Sequence, residues 1–138
     1  MRDERNCDSF EKELIIKKKL VNTKQAEALK ALGFKEPCMA VYICDILTFE
    51  AIGKTSFVNG KDSWVSAPLK TDVIDWFAEK YQYEAVIQKA SKYEWYKYTI
   101  YKLTTIGKSF ATCDERFSNK IDAENACINR LIELANCR

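Results

Sequence analysis

Between Tyr83 and Asp114 three β-rich runs, Tyr83 to Ala90, Tyr93 to Leu103 and Lys108 to Asp114, follow one another with only short connections, and Gly107 marks the break between the last two. A parallel crossover needs a dozen or more residues, so neighbouring runs are expected to pair antiparallel as a meander. Around this meander the sequence carries helical periodicity. Pro68 opens a segment, Leu69 to Tyr81, in which Leu69, Val73, Phe77 and Tyr81 recur every fourth residue, Ile74 widens the stripe and Trp76 borders it. Asn119 can cap a last helix over Lys120 to Asn136, with Asp122 at its third position and Ala123, Cys127, Leu131 and Leu134 along one side.

A further helix is marked at both ends. Asn22 stands as cap, Gln25 occupies the reciprocal capping-box position, and Val21 is placed to staple onto Ala26. Ala26, Leu29 and Leu32 share a side, Gly33 suits the left-handed position that closes a helix, and Phe34 can fold back over the last turn. Upstream, Glu11 to Lys19 fits either a charged helix or an edge strand guarded by its lysines. After Pro37, Cys38 to Leu47 is apolar and β-rich; Phe49 to Val58 is its candidate hairpin partner, and Asn59-Gly60 is a turn signal. The expected fold is α+β: an antiparallel sheet of about four to five strands with two to three helices packed on it.

Size favours one unit. A chain of 138 residues lies in the range of a single domain, expected here over 1–138 with residues 1–10 frayed. With 47% hydrophobic and 30% charged residues and only four Gly and two Pro, little of it is suited to linkers. The 22 basic and 20 acidic side chains leave a net charge of +2, too little for the broad field of a non-specific polyanion binder. No run approaches the roughly 20 apolar residues of a membrane helix, and the charged start is not followed by an export signal, so the expected location is the cytoplasm. In that compartment the six cysteines read as reduced thiols: Cys44 in a strand core, Cys127 on a buried helix side, Cys7 and Cys137 near the exposed ends.

Several motifs promise chemistry that their context withdraws. Gly53-Lys54-Thr55-Ser56 ends like a phosphate-binding loop, but Thr48 stands where the loop needs its first glycine, so no nucleotide cofactor is expected. The chain has no histidine, which removes the commonest general base and zinc ligand together with every Ser-His or Cys-His pair. Cys38 and Cys44 are the nearest cysteines and no Cys-x-x-Cys occurs, so no metal site is expected. The pairs Asp72 with Asp75, Asp114 with Glu115, and Asp122 with Glu124 could serve carboxylate chemistry, although such residues mostly form helix starts and turns, and no catalytic residue is assigned.

The most suggestive segment is Tyr93-Glu-Trp-Tyr-Lys-Tyr-Thr-Ile-Tyr101. Alternation puts Tyr93, Trp95, Lys97, Thr99 and Tyr101 on one face and Glu94, Tyr96, Tyr98 and Ile100 on the other. If one face lies under the helices, the other offers rings beside lysines, and Tyr93, Trp95, Lys97 and Tyr101 become the candidate binding surface. The plainer alternative is that rings with polar tips cover a half-exposed sheet. Lys17-Lys18-Lys19 adds a small basic cluster that usually means a solvated face.

Three strings, Ala28 to Cys38 (Ala-Leu-Lys-Ala-Leu-Gly-Phe-Lys-Glu-Pro-Cys), Ser66-Ala-Pro-Leu with Ile74-Asp-Trp-Phe-Ala-Glu-Lys80, and Ala123 to Leu134, give the chain a family likeness. It resembles a group of small phage, prophage and mobile-element proteins of Bacteroides-type gut bacteria, with which no activity is associated. The resemblance implies expression inside a bacterial host, and carries no catalytic or binding residue; together with the missing catalytic toolkit and the aromatic strand, that context points to an accessory role. Three functions are therefore expected, in this order: binding of a host or phage protein; nucleic-acid binding, with the sheet lysines and Lys17–Lys19 converging on one face; and a carboxylate-dependent enzyme, with at least two acids converging in a cleft with shifted pKa values.

Overall fold

A computed structural model of the protein describes residues 16–49, 59, 64–90, 92, 94–104, 107–112 and 115–137, with backbone alone for 103–104 and 107–112. The elements run in the order α1 (Thr23–Ala31), β1 (Ala40–Ile43), β2 (Ile46–Phe49), β3 (Trp64–Ser66), α2 (Lys70–Tyr81), β4 (Tyr83–Lys89), β5 (Tyr96–Thr104), β6 (Gly107–Thr112) and α3 (Lys120–Asn136). The α+β class and the antiparallel pairing are as the sequence implies, but the strands divide into two three-stranded sheets, β2-β1-β3 and β4-β5-β6.

The caps behave as their residue types dictate. The Asn22 side chain accepts from the Gln25 amide at 2.8 Å, and Gln25 Oε1 accepts from the Asn22 amide at 3.1 Å, closing the capping box. At the other end Gly33 sits at φ 92, the Phe34 amide donates to Leu29 O and the Gly33 amide to Lys30 O, a paired closure that turns the Phe34 ring into the core. Asn119 likewise accepts from the Asp122 amide at 2.9 Å. Residues 16–19 are helical, and Leu20, just beyond them, bridges to Leu69.

The first sheet departs from expectation in one respect. The β1 strand stops at Ile43, and Cys44 and Asp45, at φ 52 and 65, form a two-residue turn that sends β2 straight back along it. Both central residues of such a turn need positive φ, which matches the right-handed strand twist. Cys44 is therefore exposed at a hairpin tip instead of buried in a strand core. Of the expected partner run, Phe49 pairs with Ala40 in this sheet, and residues 50–58, including Gly53-Lys54-Thr55-Ser56, lie outside the described residues. Asn59 is described, and its side chain is buried: Nδ2 donates to Phe34 O and Oδ1 accepts from the Ser66 amide, both at 2.9 Å.

One hydrophobic cluster joins both sheets to the helices. It takes Leu29 and Ala26 from α1, Ala40 and Tyr42 from β1, Val73, Trp76, Phe77 and Tyr81 from α2, Tyr83 from β4, Tyr98 and Ile100 from β5, and Cys127, Ile128 and Leu131 from α3. Trp76 lies inside this core instead of at its border: its ring meets Phe34 at 5.2 Å, Phe77 at 5.1 Å and Tyr81 at 5.7 Å, all edge to face. Helix α3 lies against β4, β5, α1 and α2. Gln25 seals the α1 contact, donating from Nε2 to Asn129 Oδ1 at 3.0 Å and to Asn125 O at 3.3 Å.

Candidate functional site

The β4-β5-β6 sheet turns one face to the helices. On it lie Tyr98 and Ile100, both buried, together with Tyr83 and Lys102, whose Nζ donates to Tyr81 O at 2.9 Å and stands 4.4 Å from the Tyr83 ring centroid. Alternation sends Lys97, Thr99 and Tyr101 to the opposite face, where the register sets Gln88 against Lys97, Val86 against Thr99 and Glu84 against Tyr101. Lys97 and Tyr101 are half-buried there, and Thr99 at the centre is closed in.

Trp95 precedes β5, with its carbonyl accepting from the Ala90 amide at 3.0 Å. Next to it Tyr96 and Phe117 pair in an antiparallel bridge, and Phe117 packs toward the Tyr98 ring at 6.4 Å, on the helix side. The residues flanking a bridge point the other way. Arg116 and Trp95 accordingly meet on the outer side, the guanidinium 4.9 Å from the indole centroid. Of the four candidate residues, Trp95, Lys97 and Tyr101 thus come to one side of the sheet, while Tyr93 lies outside the described residues. Arg116 is the partner that sequence reasoning missed, because only the Tyr96–Phe117 bridge brings the segment before α3 beside β5.

The lysines expected to converge do not form one field with the sheet. Lys97 stands on the outer face and Lys102 on the inner, whereas Lys18 and Lys19 line a cavity with Lys70 and Lys120.

The carboxylates do converge. Glu36, Asp72, Asp75 and Glu79 surround a cleft of about 270 Å³ walled by Phe34, Pro37, Pro68 and Trp76. The spacing of Asp72, Asp75 and Glu79 puts them on one side of α2, and the turn after α1 brings Glu36 to them. Desolvation at the cleft wall, with the neighbouring Asp75 charge, raises the Asp72 pKa above the usual carboxylate value, although the residue keeps much of its surface in water. Burial pushes the nearby Cys38 thiol up to about 12, with the Asp72 and Glu36 charges adding to the effect, so it stays protonated and weakly nucleophilic at neutral pH. Among the described residues no group of three or more His, Cys, Asp or Glu side chains is placed to hold a metal ion, and no helix is long and apolar enough to cross a membrane.

Comparison with protein-family models, with curated proteins and with solved structures returns no match for this chain.

Proposed function

We propose that the protein is a binding module that docks another protein on the outer face of the β4-β5-β6 sheet, in keeping with an accessory role in a bacterial host cell. The observation that carries this reading is the cluster of Trp95, Arg116, Lys97 and Tyr101 on the side of the sheet turned away from the helices. Trp, Tyr and Arg are the residue types that dominate binding energy at protein interfaces, because each joins a large flat contact area to a polar tip. Glu84, opposite Tyr101 in the register, interrupts the positive charge, which suits a folded protein surface better than the uniform charge of a nucleic-acid backbone. The occupant is a protein whose contact surface sets apolar side chains on Trp95 and Tyr101 and carboxylates opposite Lys97 and Arg116.

Capture from host-cell lysate, with and without nuclease, followed by hydrogen-exchange footprinting of the complex, tests this. The expected result is a nuclease-resistant partner that protects residues 95–101. Its affinity should fall about 30-fold in Trp95→Ala, the equivalent of about 2 kcal/mol at an aromatic anchor, and further in Trp95→Ala with Tyr101→Ala. A partner that leaves this strand unprotected, or a haul that nuclease abolishes, overturns the reading.

The convergence of four carboxylates favours a second reading, a carboxylate-dependent hydrolase in which Asp72, held protonated more readily than an ordinary carboxyl, donates a proton while Asp75 acts as base. Activity on a panel of chromogenic glycosides and phosphoesters should then disappear in both Asp72→Asn and Asp75→Asn. Turnover that survives both substitutions, or no turnover of any substrate, removes this reading.

A further inference from the structure

The first turns of α2 and α3 border a cavity of about 550 Å³ in which four lysines, Lys18, Lys19, Lys70 and Lys120, face a single carboxylate, Glu124. Its volume lies in the range of about 300–1,000 Å³ that small-molecule sites occupy. Leu69 and Ile121 supply an apolar wall.

Lys70 is the unusual member. It is only 3% exposed, and its Nζ donates to Lys18 O at 2.7 Å. An ammonium group carries three donors, and among the described residues Lys18 O is the single acceptor. Burial lowers its pKa, while the charges of Glu124 and Asp122 act to raise it. Glu124 is buried as well, at 8% exposure, and makes no ion pair among the described residues. Two opposite charges thus line one cavity without an ion pair between them, which leaves each able to bond a molecule that enters it. The α2 amides at this end lack a side-chain cap, since Leu69 occupies the cap position.

We propose that this cavity binds a small phosphate monoester, its phosphate among the four ammonium groups and a hydroxyl or amino group of its body donating to Glu124. A monoester carries between one and two negative charges at neutral pH and offers three acceptor oxygens, which suits several lysines acting as point charges better than a lone carboxylate does. Glu124 sets the limit on charge: it repels a second phosphate placed deeper in the cavity, so a monophosphate is preferred to a diphosphate. The site shares no residue with the Trp95 face and stands or falls independently of it.

Isothermal titration of the full chain with adenosine 5′-monophosphate and inorganic phosphate as probes, and adenosine as the unphosphorylated control, decides the matter. Saturable binding of the monophosphate and of phosphate is expected, with none of adenosine. Lys70→Met, which keeps the length of the buried stem, should weaken the monophosphate about tenfold or more, and Lys120→Ala, at an exposed position where folding is not at stake, about three- to tenfold. Glu124→Gln should narrow the preference for the monophosphate over adenosine 5′-diphosphate. Failure of both phosphorylated probes to bind up to about 10 mM overturns the proposal, as does binding that is unchanged in Lys120→Ala and in folded Lys70→Met. Binding of a single-stranded oligonucleotide with neither small probe bound overturns it in favour of a polymer.

Discussion

Phe77→Ala is expected to destabilise the protein by about 3–5 kcal/mol, a large fraction of the roughly 5–15 kcal/mol that holds a domain of this kind together. Phe77 is fully buried on α2, with its ring 5.1 Å from Trp76 and 5.6 Å from Tyr81. The same cluster continues to Phe34 through Trp76 and to Tyr83 through Tyr81. Truncation removes the transfer free energy of a phenyl ring and leaves a cavity that the surrounding large rings cannot fill by small adjustments. Urea unfolding should show a much lower midpoint with an unchanged slope. Phe77→Leu, which retains most of the volume, should cost less than half as much, and equal losses for the two substitutions would show that ring packing is not what is being measured.

Asn59→Ala is the second large effect, about 2–4 kcal/mol, and it arises from hydrogen bonding instead of volume. The side chain joins the Phe34 carbonyl that follows α1 to the Ser66 amide of β3, and both bonds are buried. Removing it strands one acceptor and one donor away from water, each costing about 1–3 kcal/mol, with some relief if water enters. Hydrogen exchange at the Ser66 amide should accelerate more than exchange at the α3 amides, since the lost bond is local. A loss below about 0.5 kcal/mol, within the range of an ordinary surface substitution, would exclude the two-bond clamp.

These two sites differ in how far the sequence discloses them. Phe77 belongs to a four-residue stripe beginning after Pro68, and that periodicity alone predicts both α2 and its buried side. Asn59 reads in the sequence as part of an Asn-Gly turn signal, because a short polar side chain beside glycine is the usual composition of a turn. Its actual bonds reach Phe34 and Ser66, residues that no local pattern connects to it. The β1–β2 turn is the reverse case: Cys44 and Asp45 adopt positive φ without a glycine to announce it, so the strand was expected to run on to Leu47. Lys70 is intermediate. It lies three residues before Val73 on the buried stripe, a signal that was present, but a lysine at a helix start reads as solvated until a cavity is seen around it.

The three named helices, the side-chain caps of α1 and α3, the antiparallel meander and the alternation that sets Tyr98 and Ile100 on one face and Trp95, Lys97 and Tyr101 on the other follow from the sequence by itself, because capping bonds, helical period and strand alternation act over a few residues and are written in consecutive side chains. The tertiary structure alone decided that the strands form two sheets, that Arg116 lies on Trp95, that four carboxylates line one cleft, and that four lysines share a cavity with Glu124. Each of those joins residues far apart along the chain, and such contacts are selected by how the buried faces of whole elements fit against one another, which no local pattern of residues encodes.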